Sequence, residues 1–274
     1  MTDTHPLLSL RVSVNYPGKP GVLRDLALDL HRGEVLGLVG QSGCGKSTLA
    51  LAILKLLYLK RARAEGSILF NGSDLMPLNE REMRSLRGKE IALVLQSPMS
   101  SLNPALRIGA QLEEAWKIHR RSTREETLRA LLETMEEVSL PADRKFLRRY
   151  PAELSVGQAQ RVLIGMAVLH RPPLLIADEP TSALDIVTQK EIMQLFSTLS
   201  RKLGNSILYI SHDLLSVATI SHRVAVMDKG EIVECRKTAD LFTNPLHPFT
   251  QQLISALPVA PRFAVEDADY TAAR

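Results

Sequence analysis

The sequence is poor in cysteine and aromatic residues and has no long apolar run. Two cysteines in 274 residues, Cys44 and Cys235, are too few for a disulfide framework or a four-cysteine metal site. Aromatic residues make up 4% of the chain, which argues against a stacking surface for single-stranded nucleic acid. No apolar run approaches the ~18 residues of a membrane-spanning helix. Residues 1–6 (MTDTHP) lack the features of a signal peptide, so we expect a soluble, cytoplasmic protein.

The charge balance is equally unremarkable. The chain has 34 Lys and Arg against 30 Asp and Glu, and the net charge of +4 does not indicate a nucleic-acid partner. One dense basic stretch, residues 144–149 (RKFLRR), is interpreted as a solvated face of an amphipathic helix. With 45% hydrophobic and 23% charged residues, the composition is that of an ordinary globular protein.

Short apolar strands alternate with helical segments, a pattern typical of an α/β fold with a parallel or mixed sheet. A helix is predicted over residues 46–57. Two helix starts fit the capping box, Asn79 with Glu82 and Ser122 with Glu125. Strands are predicted at 8–14, 34–39, 68–70, 91–95, 174–177, 207–210 and 224–227, with a hairpin turn at 228–230 leading into 231–234.

The middle of the chain differs from both ends. Between residues 97 and 170 strands are scarce and apolar residues recur at helical spacing, which predicts a helical subdomain inserted into the α/β core. The core is therefore expected to be split into residues 1–96 and 171–243. Residues 244–274 are expected to form a tail without regular structure, because prolines recur from Pro245 to Pro258.

Residues 40–48 (GQSGCGKST) fit the phosphate-binding loop G-x-x-x-x-G-K-[ST], between a predicted strand and a predicted helix. Glycines let successive N–H groups turn towards phosphates at a helix N-terminus. Lys46 would reach the β- and γ-phosphates, and the Ser47 hydroxyl would ligate Mg²⁺. The predicted ATP-binding residues of this loop are Gly40, Gln41, Ser42, Gly43, Cys44, Gly45, Lys46, Ser47 and Thr48.

Two acidic residues follow the apolar strand 174–177. Asp178 is placed to hold Mg²⁺ beside the phosphate loop. Glu179 is placed to polarise a water molecule for attack on the γ-phosphate. Together with the loop, the pair predicts hydrolysis of a nucleoside triphosphate. The guanine-binding motif N-K-x-D is absent, which disfavours a GTPase.

Residues 154–158 (LSVGQ) match the signature LSGGQ of ABC transporter ATPases except at Val156, and the chain resembles that family over almost its whole length. The matching signature residues are Ser155, Gly157 and Gln158. Further matches are Tyr16, where the family stacks an aromatic ring on adenine, the Q-loop glutamine Gln96, the D-loop residue Asp185 and the switch histidine His212.

The resemblance implies an ABC ATPase cassette, a RecA-like P-loop NTPase core with an inserted helical subdomain and a small antiparallel β part. It implies two subunits closed head to tail, with Ser155 and Gly157 completing the γ-phosphate site of the other subunit. It assigns Glu179 and His212 to catalysis. The resemblance also places Gln96 at the Mg²⁺ site, together with Ser47 and Asp178.

Two segments, 96–104 (QSPMSSLNP) and 244–250 (NPLHPFT), are similar to those of dipeptide, oligopeptide and nickel importers. The resemblance implies two membrane permease subunits, a second ATPase subunit of the same or another kind, and an extracytoplasmic solute-binding protein. The chain would lie peripherally on the cytoplasmic face of the inner membrane. Longer relatives carry a cysteine-rich tail resembling an iron–sulfur site. Cys235 is the only late cysteine here, so no cluster is expected.

Two other functions remain open from the sequence. A soluble ABC ATPase acting on ribosomes or DNA is disfavoured because no second cassette, coiled-coil insertion or basic arm is found. An exporter ATPase is disfavoured by the importer-like tail. Val156, the one mismatch in the signature, adds a hypothesis. If this position required a positive φ at the closed interface, valine would be strained by ~1–3 kcal/mol, which would suit a heterodimer with unequal ATP sites.

Overall fold

The computed structural model describes residues 5–257, which form two β-sheets and eleven α-helices. The strands are β1 (Leu8–Tyr16), β2 (Lys19–Leu30), β3 (Val35–Gly40), β4 (Arg63–Phe70), β5 (Ser73–Asp74), β6 (Ile91–Val94), β7 (Leu174–Asp178), β8 (Ser206–Ser211), β9 (Arg223–Asp228) and β10 (Glu231–Lys237). The helices are α1 (Lys46–Ile53), α2 (Glu80–Leu86), α3 (Pro98–Ser101), α4 (Ile108–Lys117), α5 (Arg124–Glu137), α6 (Arg144–Leu147), α7 (Val156–Val168), α8 (Ile186–Leu203), α9 (Leu214–Ile220), α10 (Thr238–Thr243) and α11 (Pro248–Ser255). Two short 3₁₀ helices cover Leu57–Lys60 and Pro151–Glu153.

The larger sheet carries the chemistry-bearing segments. Its order is β10-β9-β3-β8-β7-β6, parallel except for β10, which pairs antiparallel with β9. Every residue of β3 and β8 is buried, as expected for strands covered on both faces. Because carboxyl ends of parallel strands lie at one edge, the segments that follow β3, β6, β7 and β8 meet there.

The smaller sheet is antiparallel, in the order β2-β1-β4-β5. β2 was not anticipated from the sequence, although its second half alternates buried leucines, Leu26, Leu28 and Leu30, with exposed residues. β1 and β2 form a hairpin in which Tyr16 pairs with Lys19. The hairpin turn lies beside the site described below.

The two faces of the larger sheet pack against separate hydrophobic clusters. Val35 and Val39 of β3 face one cluster, and Leu36 and Leu38 face the other. The first cluster also contains Leu112 and other apolar residues of α4, α5 and α7. The helices between β6 and β7 therefore share a core with the sheet, because their apolar stripes cover one of its faces.

Helix boundaries differ from the sequence prediction at three places. The capping box of Asn79 and Glu82 is confirmed. The one predicted at Ser122 is wrong by one residue, since Thr123 caps α5 with Glu126 and the Ser122 Oγ accepts a hydrogen bond from Trp116 Nε1 at 2.8 Å. Helix α1 ends at Ile53 and not at residue 57. Residues 244–257 are not irregular, since they include α11.

The start of α11 is held by a buried carboxylate. Glu234 on β10 accepts the backbone N–H of Leu246 at 3.0 Å and of His247 at 2.9 Å. Burial acts to raise the pKa of Glu234, but these two N–H donors, together with Thr250 and the charge of Arg236, outweigh it and the pKa is lowered. The predicted tail continues beyond residue 257, outside the described residues. Across residues 5–257 no helix combines the length and apolarity needed to cross a membrane.

Candidate nucleotide-binding site

The loop between β3 and α1 depends on its glycines. Gly43 and Gly45 adopt φ of 81° and 117°, which side chains disfavour. A Cβ on Gly45 would lie 2.7 Å from Leu23 Cδ2, and one on Gly40 would lie 2.2 Å from the Met227 carbonyl oxygen. The loop therefore approaches the neighbouring backbone and side chains more closely than any other residue type allows.

Lys46 is buried at the start of α1, with 5% of its surface exposed. Its Nζ donates hydrogen bonds to the carbonyl oxygens of Gly40 at 2.8 Å and Gln41 at 3.1 Å. These bonds hold the ammonium inside the curve of the loop. A cation held there faces whatever anion the loop binds.

Ser47 and Asp178 come together from α1 and the end of β7. Ser47 Oγ donates to Asp178 Oδ1 at 3.1 Å. Burial raises the pKa of Asp178; the Ser47 hydrogen bond opposes this and the charge of Glu179 adds to it. Two oxygen donors side by side suit a small hard cation such as Mg²⁺.

Glu179 is at the centre of a second contact group. Its Oε2 lies 3.1 Å from His212 Nδ1, and Gln96 Nε2 donates to the same oxygen at 3.4 Å. The backbone of Glu179 has a φ of 48°, and its N–H donates to the carbonyl of Ile210 at 2.9 Å. A positive φ at a non-glycine residue costs energy and is held by the surrounding structure.

A cavity of about 460 Å³ joins these groups to the β1–β2 hairpin. Tyr16 lines it at one end, where its hydroxyl lies 3.1 Å from Thr48 Oγ1. Lys19 and Val22 also line the cavity and were missed from the sequence. No local sequence pattern marks Lys19, because the pairing of β1 with β2 is what places it directly across the hairpin from Tyr16. The lining residues are Tyr16, Lys19, Val22, Ser42, Gly43, Gly45, Lys46, Ser47, Thr48, Gln96 and Glu179.

Nine expected residues do not line this cavity. Asp178 and His212 contact lining residues, and Gly40, Gln41 and Cys44 belong to the phosphate loop. The other four are Ser155, Gly157, Gln158 and Asp185. Ser155 caps α7, its Oγ accepting the Gln158 N–H and its own N–H donating to Gln158 Oε1, both at 3.2 Å. Asp185 caps α8 by accepting from the backbone of residues 187 and 188. A Cβ on Gly157 would lie 2.7 Å from Thr188 Cγ2, so the signature and the segment of Asp185 adjoin each other.

The backbone of Val156, the residue that departs from the family signature, is not strained within this chain. Val156 is the first residue of α7 and does not adopt a positive φ. Its side chain is 42% exposed. The hypothesis of backbone strain requires a positive φ at Val156 in the closed interface between subunits, and the single chain has no such φ.

The two cysteines lie apart and are both free. Cys44 is buried in the phosphate loop, and burial raises the pKa of its thiol. Burial also raises the pKa of Cys235, to whose Sγ Arg223 Nη2 donates at 3.1 Å. Within the described part of the chain, no group of three or more His, Cys, Asp or Glu side chains is arranged to hold a metal ion.

Comparison with known proteins identifies the family of this chain. The model of the ABC transporter family matches residues 23–182. The chain is 43% identical to the oligopeptide transport ATP-binding protein OppD of Bacillus subtilis, over 89% of this chain and 68% of that protein. The chain belongs to the ABC transporter family. It is 43% identical to OppD of Salmonella typhimurium, covering 91% of this chain and 74% of that protein. A longer relative, the peptidoglycan transport ATP-binding protein YejF of Agrobacterium fabrum, is 45% identical, and this chain spans 48% of it.

Solved structures of ABC cassettes are similar in fold. The post-hydrolysis dimer of the ATP-binding cassette MJ0796 bound to ADP and Pi matches 84% of this chain and 98% of that chain, with a TM-score of 0.72 and 27% identity. CbiO1 of Clostridium perfringens matches 88% of this chain and 92% of that chain, with a TM-score of 0.77; its 24% identity supports the fold alone. This chain is thus an ABC ATPase of the importer type, which binds and hydrolyses ATP, as the sequence predicted. The alternatives acting on ribosomes or DNA find no support in these comparisons.

Proposed function

We propose that this ATPase powers the uptake of peptides through a membrane permease. The observation that carries the proposal is the similarity to OppD over about nine-tenths of this chain. The importer-like segments at 96–104 and 244–250 agree with it. The ATPase would bind two permease subunits at the cytoplasmic face of the inner membrane and would serve an extracytoplasmic binding protein through them. Nickel is the other cargo expected from the sequence, but none of the relatives described above is named as a nickel transporter.

The contacts in the cavity support a role for each residue in hydrolysis. Lys46 would neutralise charge on the β- and γ-phosphates, because its ammonium is already fixed inside the loop. Glu179 would polarise the attacking water as a general base. Gln96 and His212 both contact the Glu179 carboxylate and would orient it. Tyr16 would stack on adenine at the far end of the cavity.

A magnesium ion fits the oxygen pair of Ser47 and Asp178, which lie 3.1 Å apart. Mg²⁺ in such a site withdraws charge from the β- and γ-phosphates. Ser47 and Asp178 would hold it, with Gln96 the third residue at the site. Asp178 is partly buried at the end of a rigid strand, so its carboxylate would need little rearrangement.

The signature residues would act on a second ATPase subunit, since Ser155 and Gly157 do not line this chain's own cavity. Ser155 and the N–H groups at the start of α7 present partial positive charge, which suits a phosphate. Asp185 and Gln158 would flank the same contact. The second subunit is either another copy of this chain or a related ATPase.

The test is to isolate the native complex from membranes through an affinity tag on this chain. We expect two permease proteins in the complex and ATP-dependent uptake of labelled di- and oligopeptides when it is placed in liposomes. Uptake of nickel without peptides would replace the cargo, and recovery of ribosomes or DNA with no permease would overturn the proposal. A Lys46→Ala complex serves as the control without nucleotide-driven transport.

A further inference from the structure

The first turn of α8 lies between three segments that carry expected site residues. Thr188 approaches Gly157 of the signature, and its Oγ1 donates to Asp185 Oδ2 at 2.6 Å. The next residue, Gln189, points to a different neighbour. Its Nε2 donates to Asp213 Oδ2 at 3.2 Å and to Ser216 Oγ at 2.8 Å. Gln189 therefore connects the helix that follows Asp185 to the residue that follows His212.

Asp213 is the point at which the chain turns from β8 into α9. Its Oδ1 accepts the Leu215 N–H at 3.0 Å, and its own N–H donates to Ser211 Oγ at 3.0 Å. Ser216 also donates to Asp213 Oδ2. The side chain of Gln189 is the contact from outside this turn, because the other partners belong to residues 211–216. It is half-buried, so its bonds are shielded from water.

His212 needs such support because its own side chain is 57% exposed. An exposed imidazole is free to change rotamer unless its backbone and neighbours fix it. Its Nδ1 must stay within hydrogen-bond reach of Glu179 Oε2, now 3.1 Å away, for the two to act together. A small rotation at Asp213 would break that contact.

We propose that Gln189 is a positioning residue for His212, acting through Asp213. It fixes the turn that carries His212 relative to α8, whose N-terminus is capped by Asp185. The backbone N–H of Gln189 donates to the Asp185 carbonyl at 2.8 Å, so a displacement at Asp185 is passed directly to Gln189. The inference rests on the role proposed above for His212 in hydrolysis.

The experiment measures ATP hydrolysis by the isolated native complex under single-turnover conditions, with the complex in excess over radiolabelled ATP. Gln189→Leu keeps the size of the side chain and removes its donor. We expect it to slow hydrolysis by roughly tenfold to a hundredfold, the scale of a small misplacement of a catalytic group. ATP affinity should stay unchanged. Gln194→Leu, at an exposed position on the same helix, is the matched control and should leave the rate unchanged.

The decisive comparison repeats Gln189→Leu in a His212→Ala background, where a residue acting through His212 has no further effect. A further loss of similar size in that background would overturn the inference, and so would an unchanged rate for Gln189→Leu alone. If His212→Ala is itself silent while Gln189→Leu is slow, both the His212 role and this inference fail. If His212→Ala is slow and Gln189→Leu is not, only the inference fails. Gln189→Ala provides the same test if the leucine variant lowers the melting temperature.

Discussion

The carboxylate of Glu179 lies 3.1 Å from Nδ1 of His212, although the two belong to segments far apart in sequence. The register of the parallel strands explains the contact, because Asp178 of β7 pairs with Ile210 of β8 and the next residues of both strands emerge at the same edge. The left-handed backbone of Glu179 then turns its side chain into the cavity. The strand register and the positive φ of Glu179 thus bring together Glu179 and His212, the two residues to which we assign the activation of water.

Replacing the Glu179 carboxylate by an amide should separate the binding of ATP from its hydrolysis. We expect Glu179→Gln to retain ATP affinity and to hydrolyse ATP roughly 10²–10⁴ times more slowly, because an amide is no base. Single-turnover hydrolysis and titration calorimetry measure the two effects. Glu133→Gln, exposed on α5 and outside the cavity, is the control. Unchanged turnover would remove Glu179 from the base role.

The loop lysine should matter for binding. Lys46 is buried with its Nζ held by two carbonyl oxygens, so Lys46→Ala removes the fixed cation of the loop. We expect the affinity for MgATP, measured by calorimetry, to fall by at least tenfold, since hydrogen bonds to charged groups contribute roughly 1.5–3 kcal/mol. The exposed Lys60→Ala should bind as the unaltered chain does. Equal affinities in Lys46→Ala and the unaltered chain would contradict the prediction.

The buried carboxylate of Glu234 makes stability depend on pH. The pKa of Glu234 is lowered on folding, so its contribution is fully present above the ordinary pKa of about 4.3 and is lost as the pH falls through the folded value. Glu234→Gln leaves one of the two N–H donors at residues 246 and 247 without its acceptor. We expect urea unfolding at pH 7 to show a loss of roughly 1–3 kcal/mol.

That difference should shrink as the pH is lowered below about 4.3, because the unfolded chain then binds a proton at Glu234 before the folded chain does. It is lost once the pH has fallen below the lowered folded value. Glu231→Gln, exposed on the same strand, should cost little at either pH. A loss at Glu234→Gln that is the same at pH 7 and at pH 3.5 would show that the N–H donors do not recognise the charge.

Short-range patterns were enough to predict the phosphate loop, the presence of each strand of the larger sheet and the order of the motifs. The loop was predictable because its glycines and lysine must occur at fixed spacing. Contacts between residues far apart in sequence were not predictable. The hydrogen bond from Gln189 to Asp213 depends on how α8 packs against α9, and no local pattern encodes that packing. Lys19 was missed for a similar reason, since only the β1–β2 pairing places it beside Tyr16. The subdomain boundaries and the site roles stay predictions.

Val156 is the position at which the sequence departs from the family signature. The structure places it in the first turn of α7 without a positive φ, so Val156→Gly relieves no strain. Glycine should cost up to about 1 kcal/mol of helix stability, and Val156→Ala should cost none. We expect both variants to hydrolyse ATP within about twofold of the unaltered chain, because neither removes Ser155 or the N–H groups at the start of α7 that we assign to the phosphate. A glycine variant that is more stable, or several times faster, would show that valine is strained and would revive the heterodimer with unequal sites.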